Sequence, residues 1–293
     1  MRTLELIAYH VKLMLPYIGT QPMGDVCNDS LEDFKLDRLD DGVKNATINR
    51  SLEVVRTVMN RAARVWREDG RPWLSAPPLI EMLDEAAQKR EPYPLSWSEQ
   101  AQLLPHLPSL NADMLEFSLN TGTRDENVCG LRWEWEVEVP ELQRSVFVIP
   151  PEFYKTNRKH VLIPNDTAWH IVQRHRGRHD EFVFVYRRER TVHKDRPPAM
   201  EFHRVGTMNN TAFQEARTSA KLPKFRIHDA RHTFGQRLRD AGVSEEDRAL
   251  LLGHAIEGMP QHYATATVAR LVEAANCVKK SADRTTLLRV VNG

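Results

Sequence analysis

Six residues between positions 124 and 263 have the types and spacing to act together on a phosphodiester. Arg124 follows a Thr-Gly turn, Thr121-Gly122-Thr123-Arg124, at a predicted helix start. Lys155 lies in the polar loop Tyr154-Lys155-Thr156-Asn157-Arg158-Lys159 between two predicted strands. His228 and Arg231 stand three apart in His228-Asp229-Ala230-Arg231-His232, a spacing that puts both on one face of a helix. His254 closes Leu250-Leu251-Leu252-Gly253-His254, and Tyr263 follows nine positions later in Gln261-His262-Tyr263-Ala264.

Each type has a part in such chemistry. Two guanidiniums grip phosphate oxygens with a planar, bidentate geometry that lysine lacks. They stabilise the charge that builds on a pentacoordinate phosphorus, which is the main demand of phosphoryl transfer. A phenol with an ordinary pKa of about 10 needs nearby cations or a base before it attacks at neutral pH, and His228 can be that base. A hairpin lysine can protonate the departing 5′ oxygen. With two arginines in this place the scheme calls for no metal and no cofactor.

The elements that would hold these residues fall into two parts. Up to about residue 88 the chain reads as helical. Ile48, Leu52, Val55, Met59, Ala62, Ala63 and Trp66 recur at three- and four-residue steps as one buried stripe. Arg50, Arg56, Arg61, Arg64 and Arg67 share the remaining surface, which is either a solvated face or one laid against DNA phosphates. The prolines in Glu91-Pro92-Tyr93-Pro94 block helix and favour extended chain. This gives a domain over 1–88, a linker over 89–95 and a second domain over 96–293. The second domain opens on a capping box of Ser96 and Glu99. It continues with a helix over 112–120 and a helical stretch ending near 133. Two short strands over 145–150 and 160–164 follow, then helices over 211–220, 227–241, 245–252 and 268–279. The expected fold class is mainly α with a small antiparallel β-sheet.

Composition sets wider bounds. The 293 residues are 41% hydrophobic and 28% charged, which excludes wholesale disorder. A formal net charge of +1 gives no bulk argument for nucleic acid, so that case rests on where the charge sits. Cys27, Cys129 and Cys277 are widely spaced and form no CxxC pair, which disfavours a disulfide framework and fits a reducing cytoplasm. The apolar N-terminus is interrupted by Glu5, His10 and Lys12 and reads as neither signal peptide nor membrane span. The expected location is cytoplasmic.

The order Arg…Lys…His-x-x-Arg…Gly-His…Tyr resembles the tyrosine recombinase (phage integrase) family. The stretches that carry the likeness are TGTRDENVCGLRW at 121–133, IHDARHTF at 227–234 and LLGHAIEGMPQHYA at 251–264. More weakly, ATINRSLEVVRTVMNRA resembles the family's helical core-binding domain. The resemblance implies that Arg124 and Arg231 are the phosphate-gripping arginines and Lys155 the general acid. His228 would be the base or orienting histidine, His254 a second phosphate donor and Tyr263 the nucleophile. It further implies a 3′-phosphotyrosyl intermediate and no ATP. The implied partners are double-stranded DNA with specific core sites, a homotetramer formed on DNA from protomers that are monomeric in solution, and an accessory DNA-bending or excision protein. Val268, Leu271, Val272 and Ala275 would suit a C-terminal helix that docks onto a neighbour. The chain departs from the family at Asn127, where a glutamate is usual, and it offers Lys159 beside Lys155.

Other readings compete. A type IB topoisomerase-like enzyme would share the chemistry but relax DNA. A non-catalytic DNA-binding regulator would have no use for a tyrosine nucleophile. A metal hydrolase would use His175 and His179, four apart, but Arg174, Arg176 and Arg178 around them would repel a cation. A charged surface helix is the better reading of that stretch. The run Arg187-Arg188-Glu189-Arg190 reads as a loop in preference to a phosphate contact.

Overall fold

The computed structural model describes residues 2–189, 200–254 and 267–280. The chain forms two compact units, Met1–Arg90 and Glu91–Gly293. The first holds α1 (Arg2–Ile18), α2 (Glu32–Asp40) and α3 (Asn45–Arg64). The predicted stripe on α3 buries Ile48, Leu52, Val55 and Met59 against Met14, Val26, Leu31, Phe34 and Ile80. Its arginines, Arg50, Arg56, Arg61 and Arg64, are all exposed.

Helix does not continue to residue 88 as the sequence pattern suggests. After α3 the chain makes a two-residue hairpin, β1 (Arg67–Glu68) with β2 (Arg71–Pro72). Asp69 and Gly70 at φ 49° and 78° make its turn, the Asp-Gly geometry that suits strand twist. The irregular segment beyond is held by Asn49 of α3, whose amide accepts from Leu83 N at 2.8 Å and donates to Leu83 O at 2.9 Å. A side chain here replaces the backbone partner that helix or sheet would supply.

The second unit is mostly helical. In chain order it holds α4 (Trp97–Leu103), α5 (Ser109–Thr121), α6 (Asp125–Cys129), β3 (Glu136–Val139), β4 (Arg144–Ile149), β5 (His160–Leu162), α7 (Asp166–His175), β6 (Val185–Glu189), β7 (Met200–Arg204), α8 (Thr211–Ser219), α9 (Asp229–Asp240), α10 (Glu245–Leu252) and α11 (Val268–Asn276). The capping box at Ser96 and Glu99 is present with both of its hydrogen bonds. The sheet is antiparallel in the order β3-β4-β5, with Phe147 opposite both Glu136 and Leu162. β3 is not among the expected strands: Glu-Val-Glu-Val alternates polar and apolar residues, but for only four positions, of which Val139 alone is buried. A second hairpin, β6 with β7, pairs Val185 with Arg204, so residues 187–189 form strand and not the expected loop.

Two clusters make the interior of this unit. The larger joins Phe117, Leu119, Phe147, Phe184, Phe213 and Phe225. The smaller joins Phe234, Leu238, Leu251 and Leu252 to Leu271, Val272 and Ala275 of α11, so the apolar face of α11 packs within its own unit. The extended residues ahead of α4 are fastened to α9. Tyr93 N donates to Asp229 at 3.3 Å, Leu95 N donates to Thr233 at 3.0 Å, and the Arg237 guanidinium lies 3.5 Å from the Trp97 ring centre. No helix among the described residues is long and apolar enough to cross a membrane.

Candidate active site

Three helix ends meet where α5, α9 and α10 pack together. α5 stops at Gly122, whose φ of 65° needs the left-handed conformation. A Cβ there would stand 2.6 Å from Leu252 Cδ2 and 2.8 Å from Phe234 Cδ1, so the close approach of the helices also requires glycine. Thr121 and Ser118 fasten the turn that follows. Ser118 donates to Thr123 O at 3.0 Å, and Thr121 donates to Phe117 O at 2.8 Å. Arg124 then takes the N-cap position of α6 in extended geometry.

Arg231, in the first turn of α9, is only 7% exposed, yet no carboxylate partner explains its burial among the described residues. It donates instead to Gly122 O at 2.8 Å and to Leu252 O. Both carbonyls close helices, where the backbone carries partial negative charge that suits a cation. Burial first, and then the Arg124 guanidinium, pull its pKa down to about 10, against the nearby Tyr154 oxygen, which raises it. It therefore stays charged at neutral pH.

Tyr154 links the two arginines. The Arg124 guanidinium carbon lies 4.9 Å from the centre of its ring, and its hydroxyl donates to Leu252 O at 3.3 Å. Arg231 donates to the same Leu252 carbonyl, so the tyrosine runs from the guanidinium of Arg124 to an acceptor that it shares with Arg231. His160 of β5 stacks on the same tyrosine at 4.5 Å, with 22° between planes. Burial, then Arg231 and Arg124, push its pKa down to about 4. Arg124 Nη1 is buried and finds no hydrogen-bond partner among the described residues. A solvent-shielded donor left idle beside a second guanidinium is an arrangement that suits an anionic ligand.

Two histidines complete the cluster. His228 is the N-cap of α9, its ring edge-on to His232 at 5.2 Å. Its pKa is lowered by burial, then by His232 and Arg231, with Asp229 opposing. His254 follows Gly253, the left-handed cap of α10 at φ 63°. Its pKa is lowered by burial and by Arg231, Arg124 and His232. Both rings are therefore neutral near pH 7, each with one donor and one acceptor nitrogen. Gly253 has no room for a side chain, since a Cβ would meet the Tyr154 hydroxyl and come within 2.7 Å of His160 Nδ1.

The structure thus brings Arg124, His228, Arg231 and His254 together. Lys155 and Lys159 are exposed on the turn before β5, directly beside Tyr154 and His160 respectively, so both flank the cluster. Tyr263 lies outside the described residues. Asn127 is buried, and its amide donates to Phe153 O at 2.7 Å. It fixes the backbone next to Tyr154 and so supports Arg124 through the ring. Tyr154 and His160 are what sequence reasoning missed. Their only signal was adjacency to the two lysines.

His175 and His179 do not form a helical pair. α7 ends at His175, and Gly177 at φ 76° turns the chain before His179. His175 is fully buried, with Nε2 2.9 Å from Asp113 of α5 and Nδ1 3.3 Å from Arg178. His179 Nδ1 accepts from the backbone of Glu181 and Phe182. Both rings serve the packing, and the surface-helix reading missed a buried acid–histidine pair.

Comparison with known proteins bears on the family and the fold. Residues 99–270 match the model described as the phage integrase family. The integrase of Salmonella phage P22 is 29% identical over 205 residues, covering 68% of this chain; the chain spans only 48% of that relative's length. The fold is similar to that of a lambda integrase fragment (residues 75–356 of that protein) in a dimer bound to a COC′ core site, with a TM-score of 0.62 at 16% identity over 98% of this chain and 93% of that one. It is also similar to lambda integrase in a tetramer bound to a Holliday junction, at a TM-score of 0.58 and 15% identity over 90% and 74% of the two chains. The chain belongs to the phage integrase family.

Proposed function

We propose that this chain is a site-specific DNA recombinase that cleaves and rejoins strands through a 3′-phosphotyrosyl bond, integrating or excising a mobile element. The observation that carries the reading is the pair of guanidiniums linked through Tyr154 and the Leu252 carbonyl, with Arg124 Nη1 buried and without a hydrogen-bond partner among the described residues. In this scheme the Tyr263 hydroxyl attacks the phosphorus and its proton passes to neutral His228. Arg124, Arg231 and His254 hold the non-bridging oxygens as negative charge builds there. The bond to the 5′ oxygen breaks, and that oxygen takes a proton from Lys155, with Lys159 as the other candidate. The 5′ hydroxyl of another strand then reverses the steps, and the phosphotyrosyl bond conserves the energy that ATP would otherwise supply.

The substrate is double-stranded DNA bearing specific core sites. The exposed arginines of α3 are suited to contact its phosphates, which gives the 1–88 region a core-binding role and the region from 96 onward the catalytic one. Assembly as a homotetramer on DNA and a cytoplasmic location belong to the same reading.

The deciding experiment denatures the chain after incubation with a library of duplex DNA, recovers covalently attached strands and sequences their ends. Tyr263→Phe should retain DNA binding and give no adduct. An adduct from that variant refutes the nucleophile assignment. Adduct ends scattered without sequence preference, with efficient relaxation of supercoiled plasmid, would indicate a topoisomerase instead.

A further inference from the structure

We propose that Tyr154 is a positioning residue for strand cleavage: its ring fixes the Arg124 guanidinium, and its hydroxyl adds only a weak tether, a 3.3 Å bond, to the turn that carries His254. The inference rests on the recombinase reading and deepens it. Arg124 has few other restraints, because its Nη1 donor has no partner among the described residues. The Tyr154 ring, 4.9 Å from the guanidinium carbon, is what holds it. That ring is in turn held by the stacked His160 at 4.5 Å and by its own burial at 4% exposure.

The hydroxyl reaches the other side of the site. It donates to the Leu252 carbonyl, which also accepts from Arg231, and Leu252 stands two residues before His254. Gly253 fits only because it presents no Cβ to Tyr154 and His160. Asn127 secures the tyrosine from behind through Phe153 O. One aromatic ring therefore sets the spacing between Arg124, Arg231 and His254. A cation over an aromatic face is held in place without spending its donors, so Arg124 keeps its N–H groups for phosphate.

Tyr154 does not touch the reacting atoms in this scheme, so its test separates placement from folding. The full chain is assayed on a nicked duplex bearing the sequence recovered from its own adducts, with the nick placed to trap the cleaved strand. Tyr154→Met removes the ring with a flexible apolar side chain of similar length. It should bind the duplex within about twofold of wild type and cleave about 10- to 100-fold more slowly, the scale expected when a catalytic group is displaced by about 1 Å. Tyr154→Phe keeps the ring and should cleave within about fivefold of wild type. Wild-type cleavage by Tyr154→Met, or binding and cleavage lost in parallel with folded protein, overturns the inference. So does a Tyr154→Phe variant as slow as Tyr154→Met. If Tyr154→Met folds poorly, Tyr154→Phe decides alone, and a hundredfold loss there refutes the role of the ring. A wild-type chain that forms no adduct sinks the recombinase reading itself, whereas a normal adduct with an unimpaired Tyr154→Met sinks only this inference.

Discussion

Changing His160 to phenylalanine should remove a pH dependence of stability that the wild-type chain carries. Burial against Tyr154, and then the guanidiniums of Arg231 and Arg124, hold the His160 pKa at about 4, against 6.5 in the unfolded chain. Between those values the unfolded chain binds a proton that the folded chain refuses. The group's contribution to stability is therefore complete above about pH 6.5 and is lost as pH falls toward 4. At about 1.4 kcal/mol for each tenfold difference in proton affinity the whole effect is about 3 kcal/mol, of which about 2 kcal/mol is gone by pH 5. Phenylalanine keeps an aromatic ring against Tyr154 and cannot take up the proton. Urea unfolding at pH 7.5 and pH 5 measures the difference. A Trp66→Phe, Trp73→Phe background leaves tryptophan only in the Glu91–Gly293 unit, so fluorescence follows that unit alone. His228 and His254, whose pKa values are lowered too, remain in both proteins and cancel in the comparison. His160→Phe should lose about 2 kcal/mol less than the parent on going to pH 5. Parallel profiles, or a larger loss in the variant, would refute the claim that burial beside the arginines keeps this imidazole neutral.

Three further outcomes follow from the same geometry. Arg231→Ala should keep duplex binding and lose cleavage by a factor on the order of 10² to 10³; Arg231→Lys should not restore it, because a single ammonium cannot span the Gly122 and Leu252 carbonyls as the guanidinium fork does, and trapped-adduct kinetics check both. Gly253→Ala should lower the melting temperature and slow cleavage far more than Gly242→Ala, since both glycines have positive φ but only Gly253 has neighbours in the way. Ser96→Ala should cost about 1 kcal/mol of stability in the same fluorescence assay through loss of the α4 cap, with cleavage by the folded fraction unchanged.

Legibility in the sequence followed the strength of local patterns. The stripe of α3, the capping box at Ser96, α9 and α10 were readable because period and capping residues are local signals. β3 and the β6–β7 hairpin were not, since β3 alternates for only four residues and β6 ends on three consecutive charged residues, Arg187, Arg188 and Glu189. Arg124, His228, Arg231 and His254 could be picked out because each sits at an element end beside a glycine or a motif partner. Tyr154 and His160 could not, because what matters in them is stacking, and no spacing in the chain announces that two rings on either side of a turn will face each other. Asn127 is only a departure from the family in the sequence, and its bond to Phe153 O is a long-range contact that no local pattern announces. The pair His175 and His179 misled in the opposite direction: their four-residue spacing assumed one helix, and Gly177 ends it between them.

The Leu252 carbonyl accepts from both Arg231 and Tyr154 at the last residue of α10, with consequences for how the site fails. Fraying of that final helical turn would release a guanidinium, a phenol and an imidazole in one event, so loss of competence should be all-or-none and not graded. Substitutions elsewhere in α10 that loosen its last turn would then mimic damage to the catalytic groups while leaving every one of those groups intact.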